Sequence, residues 1–198
     1  LKSREVPEDT GYFNDIYTLD LRSKETRCLY NGKGSVYDPT VSPDGKWAAF
    51  LGHEGGEISP DNAGIWLLSL EEPGNPKCLT SNWDRPVGNY VGADASFDGG
   101  IPYKWNNDSL SLTFMTTIGG DCTLKSVDLS GEISDVLSVK NSVITSFDRI
   151  EDTIAYVKAT PGSPGDIFYT NTTNSSQLTH HNQTFFETVD LASPKSFS

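Results

Sequence analysis

The sequence predicts an all-β fold, and three observations support that prediction. The 198 residues include 18 Gly and 11 Pro, which is typical of a chain that turns often. Long amphipathic stretches rich in Ala, Leu, Glu and Lys are missing from the sequence, so we expect almost no helix. The third observation is an apolar hairpin pattern that recurs four times along the chain.

Each copy of this hairpin has an apolar strand, a polar turn and a second, short strand. The first strands begin at Ile16, Ile65, Leu124 and Ile167, at intervals of 49, 59 and 43 residues. The strands that come after the turns begin at Arg27, Lys77, Ile133 and Gln177. Their alternating apolar residues are typical of half-buried β-strands.

A second hairpin lies before three of the four copies. Residues 38–51 are its clearest example, with Pro43-Asp44-Gly45 in the turn. Pro presets φ there, Asp binds its own backbone, and Gly accepts a positive φ. Residues 102–115 repeat the pattern, and residues 144–157 repeat it more loosely. Together the two hairpins give four antiparallel strands every 43 to 59 residues, which indicates the blades of a β-propeller.

The predicted architecture is therefore a partial β-propeller of four-stranded antiparallel blades. We interpret residues 1–198 as one domain of about three and a half blades, whereas closed propellers have roughly 4–8. The predicted units are half a blade at 11–35, full blades at 36–85, 93–141 and 143–181, and an exit segment at 182–198. Open flanks would expose strand faces and edges, so we expect self-association through them.

Charge and cysteine content argue against several function classes. The formal net charge is −12, which repels phosphate backbones, so we expect no nucleic-acid partner. No leader or membrane-spanning stretch is recognisable, so we expect no membrane partner.

Cys28, Cys78 and Cys122 are odd in number and lack C-x-x-C spacing, which argues against a disulfide framework or a zinc site. We expect them to be buried free thiols that pack as small apolar groups, and we expect a cytoplasmic location.

No complete catalytic motif is present in the sequence. G-x-S-x-G, Walker A, H-E-x-x-H and EF-hand patterns are all missing, so we predict no catalytic, cofactor-binding or metal-binding residues. One loop, residues 52–57, carries His53, Glu54 and Glu57. Glu54 and Glu57 are candidate contacts for a cationic substrate group. The alternative, which we favour, is an ordinary solvated loop between two strands.

Aromatic residues recur at corresponding strand positions. A carbohydrate-stacking surface is one interpretation, but packing between blades fits the recurrence better. The residues concerned are Trp47, Phe50, Trp66, Trp105, Phe114, Phe168 and Tyr169.

Four segments carry a resemblance to a known family. Val41-Ser-Pro-Asp-Gly-Lys-Trp-Ala-Ala-Phe50 resembles the W-S-P-D-G-K-x-I-A-F repeat in the propellers of TolB-like proteins and prolyl-oligopeptidase-type serine peptidases. The hairpins at Ile16 and Ile65 resemble the other half of the same repeat. Residues 185–198 resemble the segment that leads from the last blade into the hydrolase domain in acylaminoacyl-peptidase-like members. Lys195 stands where that family often has Glu.

The resemblance implies a non-catalytic domain that gates substrate access in a serine peptidase. Its partners would be the hydrolase domain of the same parent chain and peptide substrates. The catalytic triad would then lie after residue 198, with G-x-S-x-G expected within roughly 150 residues. A TolB-like propeller that acts as a protein-binding scaffold is the alternative. For this chain alone we expect no hydrolysis of peptides or esters.

Overall fold

The structure is a computed structural model, and it describes residues 2–3, 13–32, 34–54, 62–72, 74–91 and 100–189. Four successive groups of strands are arranged along the chain. The first is β1 (Lys2–Ser3), β2 (Asn14–Leu19) and β3 (Thr26–Tyr30). The second is β4 (Val36–Val41), β5 (Trp47–Gly52), β6 (Gly64–Ser69) and β7 (Lys77–Cys78). The third is β8 (Tyr103–Trp105), β9 (Ser111–Ile118), β10 (Asp121–Asp128) and β11 (Ile133–Leu137). The fourth is β12 (Val143–Ile150), β13 (Thr153–Thr160), β14 (Ser163–Thr170) and β15 (Ser175–Gln177), and α1 (Gln183–Phe186) comes after it.

Strands within a group pair in chain order. The second group is a four-stranded antiparallel sheet in the order β4-β5-β6-β7. The fourth has the same order and direction, from β12 to β15. A single parallel pairing, Cys122 with Val143, joins the third and fourth groups into one eight-stranded sheet, and we call its two four-stranded halves the third and fourth sheets. The prediction of an all-β chain of four-stranded antiparallel sheets is confirmed, and α1 spans only four residues.

The first group differs from the two strands that the hairpin pattern indicated. β1 pairs with β2 through Lys2 opposite Asp15 and Ser3 opposite Asn14, which gives a sheet in the order β1-β2-β3. Two residues are too short for any periodic signal, so a strand of this length cannot be found from alternation. This sheet therefore has a third strand that the sequence did not reveal.

The chain divides into two compact units. The first unit comprises Leu1–Val87, Asp108–Ser111 and Val127–Ile133. Its core joins the first two sheets, and the Tyr30 and Phe50 rings stack with centroids 5.5 Å apart. The buried residues of this core are Ile16, Val36, Phe50 and Leu68.

The second unit comprises Gly88–Asn107, Leu112–Ser126 and Ser134–Ser198. Its core lies between the third and fourth sheets, where Tyr156 stacks on Phe168 at 5.7 Å between ring centroids. The buried residues of this core are Met115, Cys122, Leu124, Ile144, Phe147, Ile154 and Tyr156. Within the described residues, no helix is both long and apolar enough to cross a membrane.

A side-chain oxygen closes the turn after each of the four recurring hairpin strands. The residue is the fifth of the pattern in every copy, and we call these residues the hairpin caps: Asp20, Ser69, Asp128 and Asn171. Asp128 Oδ1 accepts bonds from three successive backbone amides at 2.8–3.0 Å, and Asn171 Oδ1 from two at 3.0 and 2.8 Å. Asp20 accepts two, and Ser69 accepts one. Turn amides need acceptors, so each cap replaces water at a tight turn.

Two threonines extend the hydrogen-bond ladder at the far end of these hairpins. Thr80 Oγ1 accepts the backbone amide of Ile65 at 3.0 Å, and Thr179 Oγ1 accepts that of Ile167 at 2.9 Å. Each threonine comes after a leucine whose own amide donates to the carbonyl of the same isoleucine. Leu79-Thr80 and Leu178-Thr179 therefore continue the pairing of their hairpins beyond the short second strand.

The cysteine prediction holds only in part. Cys122 is fully buried, and burial raises the pKa of its thiol to about 12, so it packs as a neutral group. Cys78 is half-buried, but Cys28 is exposed, so the expectation of burial is wrong for Cys28. β3 is the edge strand of its sheet, and its first three residues all face solvent.

Of the seven recurrent aromatic residues, Phe50 and Phe114 are buried and the other five are half-buried. Trp66 also donates its indole N–H to the carbonyl of Gly52 at 2.9 Å.

Candidate functional site

The loop after β5 contains the predicted substrate contacts. Glu54 lies two residues beyond the end of β5 and is exposed to solvent. Glu57 lies outside the described residues. His53, between β5 and Glu54, is half-buried. The structure therefore places one of the two predicted carboxylates, at the end of the second sheet.

Close backbone contacts fix this end of β5. The His53 amide donates to the carbonyl of Ser35 at 3.2 Å. Gly34 is needed beside it, because a Cβ at that residue would lie 1.5 Å from the His53 carbonyl oxygen. The His53 Nδ1 atom is buried and has no hydrogen-bond partner among the described residues. Glu54 therefore extends from a fixed backbone.

The chemistry available around Glu54 is that of a single surface carboxylate. The pKa of the nearby Cys78 thiol is raised, chiefly by burial, and the negative charge of Glu54 adds to the effect. A raised pKa keeps the thiol protonated and unreactive at neutral pH. No cluster of three or more His, Cys, Asp or Glu side chains suited to a metal ion is found within the described ranges. Glu54 could bind a cationic group.

A second polar group lies in the second unit, in a region for which no sequence motif predicted a site. Arg149, near the end of β12, donates from Nη1 to Thr113 Oγ1 at 2.8 Å. Its Nε donates to the carbonyl of Glu151, also at 2.8 Å. Thr113 is fully buried on β9, and its hydroxyl donates to Asn106 Oδ1 at 2.9 Å. Two neutral oxygens thus hold the half-buried guanidinium in one orientation.

Lys104 is the neighbour of Thr113 across the strands, and Asp148 is the neighbour of Arg149 along the chain. The Nζ atom of Lys104 lies 3.2 Å from Asp148 Oδ1. The Lys104 side chain is 42% exposed and that of Asp148 is 70% exposed. We call Lys104, Asn106, Thr113, Asp148 and Arg149 the Arg149 cluster. It contains two cations and one carboxylate, so it carries one net positive charge in a chain of net charge −12.

Sequence reasoning missed the Arg149 cluster because its members are far apart in the chain and form no motif. Lys104 lies on β8 and Arg149 on β12, the first strands of the third and fourth groups, and only the folding of the chain brings them together. One sequence signal could have indicated these residues, because the turn after Lys104 and the turn near Arg149 align in the repeat. Asn106-Asn-Asp108 and the segment around Arg149 occupy corresponding places in the repeat.

Comparison with known families gives one match. The chain matches the acylaminoacyl-peptidase N-terminal β-propeller domain over residues 3–164. A search of curated proteins finds no match.

Similar solved structures belong to peptidases and to a related propeller protein. Acylaminoacyl peptidase from Pyrococcus horikoshii is 21% identical with a TM-score of 0.71, over 100% of this chain and 28% of that chain. The β-propeller domain of the trilobed protease from Pyrococcus furiosus is 18% identical with a TM-score of 0.62, over 90% and 47%. TolB from Acinetobacter baumannii is 16% identical with a TM-score of 0.53, over 82% and 36%. The propeller fold class is thereby confirmed, and this chain spans 28% of the length of the first of these proteins.

Proposed function

Because the chain belongs to the family of acylaminoacyl-peptidase N-terminal β-propeller domains, we propose that it gates the access of peptides to the catalytic domain of a serine peptidase. The family match over residues 3–164 is the observation that carries this proposal. Its partner is the hydrolase domain of the same parent chain, which supplies the nucleophile and its base. Its substrates are peptides short enough to pass the propeller.

The rigidity of the sheets supports a gating role. A barrier that selects by size must keep its shape while a substrate presses on it. The hairpin caps fix the turns, and Thr80 and Thr179 continue the ladders at the strand ends. Fully buried side chains such as Phe50 and Phe114 join neighbouring strands into close-packed layers. These features suit a fixed frame around a passage.

The test uses the full parent protein and a series of N-acetylated peptides of increasing length. Gating predicts that the rate falls steeply once a peptide is too large to enter, and that a folded protein carrying the same sequence is not cleaved. Cleavage of long chains and folded proteins at the rate of short peptides would overturn the proposal.

A substitution inside the propeller tests whether this domain causes the selection. Phe50→Ala in the parent loosens the packing of the first two sheets, so the ratio of long-peptide to short-peptide cleavage should rise. Leu19→Ala, at a residue that is 53% exposed, is the matched control and should leave the ratio unchanged. An unchanged ratio in a folded Phe50→Ala protein would assign the selection to another part of the parent.

The second candidate function is a TolB-like protein-binding scaffold, which the similarity to TolB favours. The two candidates differ in the domain that the parent gene encodes after residue 198. A peptidase requires an α/β-hydrolase domain, with G-x-S-x-G at its nucleophile elbow. A parent without that domain, which binds proteins and hydrolyses nothing, would support the scaffold instead.

A further inference from the structure

Arg149 is a partly buried cation that has only neutral hydrogen-bond acceptors for its side chain. These acceptors are Thr113 Oγ1 and the Glu151 carbonyl, as far as the described residues show. They occupy Nε and one proton of Nη1, so the remaining donors of the guanidinium have no acceptor among the same residues. A half-buried guanidinium gains most from a carboxylate that meets two of its N–H groups at once. Because these bonds hold the guanidinium in one orientation, its remaining N–H groups can bind such a carboxylate without a rearrangement.

Lys104 strengthens the same preference. Its ammonium lies 3.2 Å from Asp148 Oδ1, and that carboxylate is mostly exposed to solvent. The same oxygen accepts the backbone amide of Arg149 at 2.9 Å, so Asp148 is bound to Lys104 and to the backbone rather than to the Arg149 side chain. One positive charge is therefore left over at the cluster. It would attract an anion, in contrast to the net negative charge of the chain.

The name of the family, acylaminoacyl peptidase, points to peptides with an acylated N terminus, and this substrate class determines which anion is meant. A peptide whose N terminus is acylated has an amide in place of the terminal amine, so its one obligatory charge is the C-terminal carboxylate. A surface carboxylate such as Glu54 suits a free amine, which such a peptide lacks. A cation suits the terminus that remains charged.

We propose that Arg149, assisted by Lys104, binds the C-terminal carboxylate of peptides whose N terminus is blocked. The substrate class rests on the proposed function, whereas the preference for a carboxylate rests on the contacts of Arg149. The carboxylate meets the remaining N–H groups of the guanidinium, and Lys104 adds a second cation. Arg149 thus selects blocked peptides by their one obligatory charge.

The experiment measures binding to the 198-residue chain directly, so it does not depend on catalysis. N-acetyl-trialanine with a free carboxylate is titrated into ¹⁵N-labelled protein at low ionic strength, and the same peptide as a C-terminal amide is titrated in parallel. We expect the Arg149 Nε–H resonance to shift with the acid. We also expect the acid to bind about ten-fold more tightly than the amide, because the charge-assisted bonds are lost in the amide. Equal affinity of the two peptides would overturn the proposal.

Substitutions test which side chains cause the preference for the peptide acid. Arg149→Gln should remove the preference for the acid, and Lys104→Gln should reduce it. Arg85→Gln is the matched control, since Arg85 is exposed, donates to a backbone carbonyl and lies in the first unit. Arg149→Gln that retains the full preference, in a protein with native amide dispersion, would overturn the assignment. Acetate and inorganic phosphate are titrated as small anions that lack the peptide. Binding of either ion as tightly as the peptide acid would overturn the assignment to a peptide.

Failure of this inference can be told apart from failure of the proposed function. Binding of the acid without hydrolysis by the parent would leave the carboxylate site standing and reject the peptidase. Hydrolysis by the parent, with equal binding of acid and amide to this chain, would reject the carboxylate site alone.

Discussion

Asp128 shows how one side chain can close a turn and make its stability depend on pH. The Ser130 hydroxyl and then backbone amides donate to its carboxylate, and these bonds lower its pKa below the ordinary carboxyl value. They also define a turn that contains Gly131 at a φ of 103°. Because the pKa is lowered on folding, the charged carboxylate stabilises the fold above about pH 4. That contribution is lost as the pH falls through the folded value.

Asp128→Asn tests this dependence, because it keeps an accepting oxygen and removes the charge. We expect the wild-type protein to be the more stable above about pH 4, with a difference that shrinks as the pH falls below that value. Urea unfolding midpoints between about pH 2.5 and 7 measure the difference. Ser130→Ala removes only the hydroxyl donor and should show a smaller dependence on pH. A difference that grows towards low pH would contradict the prediction.

Thr80 and Thr179 make the same bond in different surroundings, so they form a natural pair for comparison. Thr80 is 4% exposed, and the Ile65 amide that donates to it is fully buried. Thr80→Val keeps the shape and leaves that amide without an acceptor, which should cost about 1–3 kcal/mol in the free energy of unfolding. Thr179→Val should cost about 0.5–1 kcal/mol, because water can reach the exposed Ile167 amide and can also replace the Thr179 hydroxyl that donates to Asp166 Oδ1. Chemical denaturation measures both, and equal losses would show that burial does not set the cost.

Among the elements, the contact between the first two sheets includes one stacked aromatic pair. Phe50 on β5 is 1% exposed and stacks on Tyr30 of β3. Phe50→Ala should destabilise the first unit by about 3–5 kcal/mol, since little can refill the cavity. Thermal unfolding gives the size of the loss, and hydrogen exchange should show faster exchange in β2 and β3. Leu19→Ala should change stability by less than about 0.5 kcal/mol, and a loss as large as that of Phe50→Ala would contradict the role of the aromatic pair.

Strands with alternating apolar residues could be predicted from the sequence because the pattern itself reports one buried face. The first strands of the recurring hairpin, β2, β6, β10 and β14, were predicted in this way, whereas β5 has five buried residues in succession and is buried on both faces. β1 and α1 are too short to carry a period. The exposure of Cys28 depends on its place at a sheet edge, which a local pattern does not contain.

The candidate site was less predictable than the fold. Glu54 was singled out from its loop composition, and the structure shows it exposed. The Arg149 cluster joins residues from two sheets, so no short stretch of sequence reveals it. The charges of the Arg149 cluster come together only when the chain folds, so a local sequence pattern does not contain them.

At the scale of the whole molecule, exposed apolar side chains on the fourth sheet lead to a prediction about association. Ile150 is 67% exposed and Ile167 is 41% exposed. Strand alternation places them on the same face as Ala155 and Val157. Among the described strands, β15 ends this sheet and β3 ends the first, so both have an outer edge available for pairing. We therefore expect the chain to self-associate.

Sedimentation velocity over a range of concentrations tests the association. The wild-type chain should show a concentration-dependent sedimentation coefficient, and Ile150→Lys with Ile167→Lys should weaken the dependence. Leu110→Lys is the control, because Leu110 is 62% exposed but lies in a turn. A monodisperse monomer at all concentrations would refute the prediction.

The hairpin caps have a consequence for redesign of the chain. Each cap lies at the start of its connection or just before it, and the four connections between the paired strands are four to seven residues long. In the longest connection, residues 70–76, the closing oxygen of Ser69 accepts the amide of Glu72, so the residues between Glu72 and β7 are free to change in number. Doubling a flexible connection costs only about 0.6 kcal/mol of closure entropy. A foreign epitope grafted between Glu72 and Lys77 would leave the strands on either side in register, so the repeat could serve as a display scaffold.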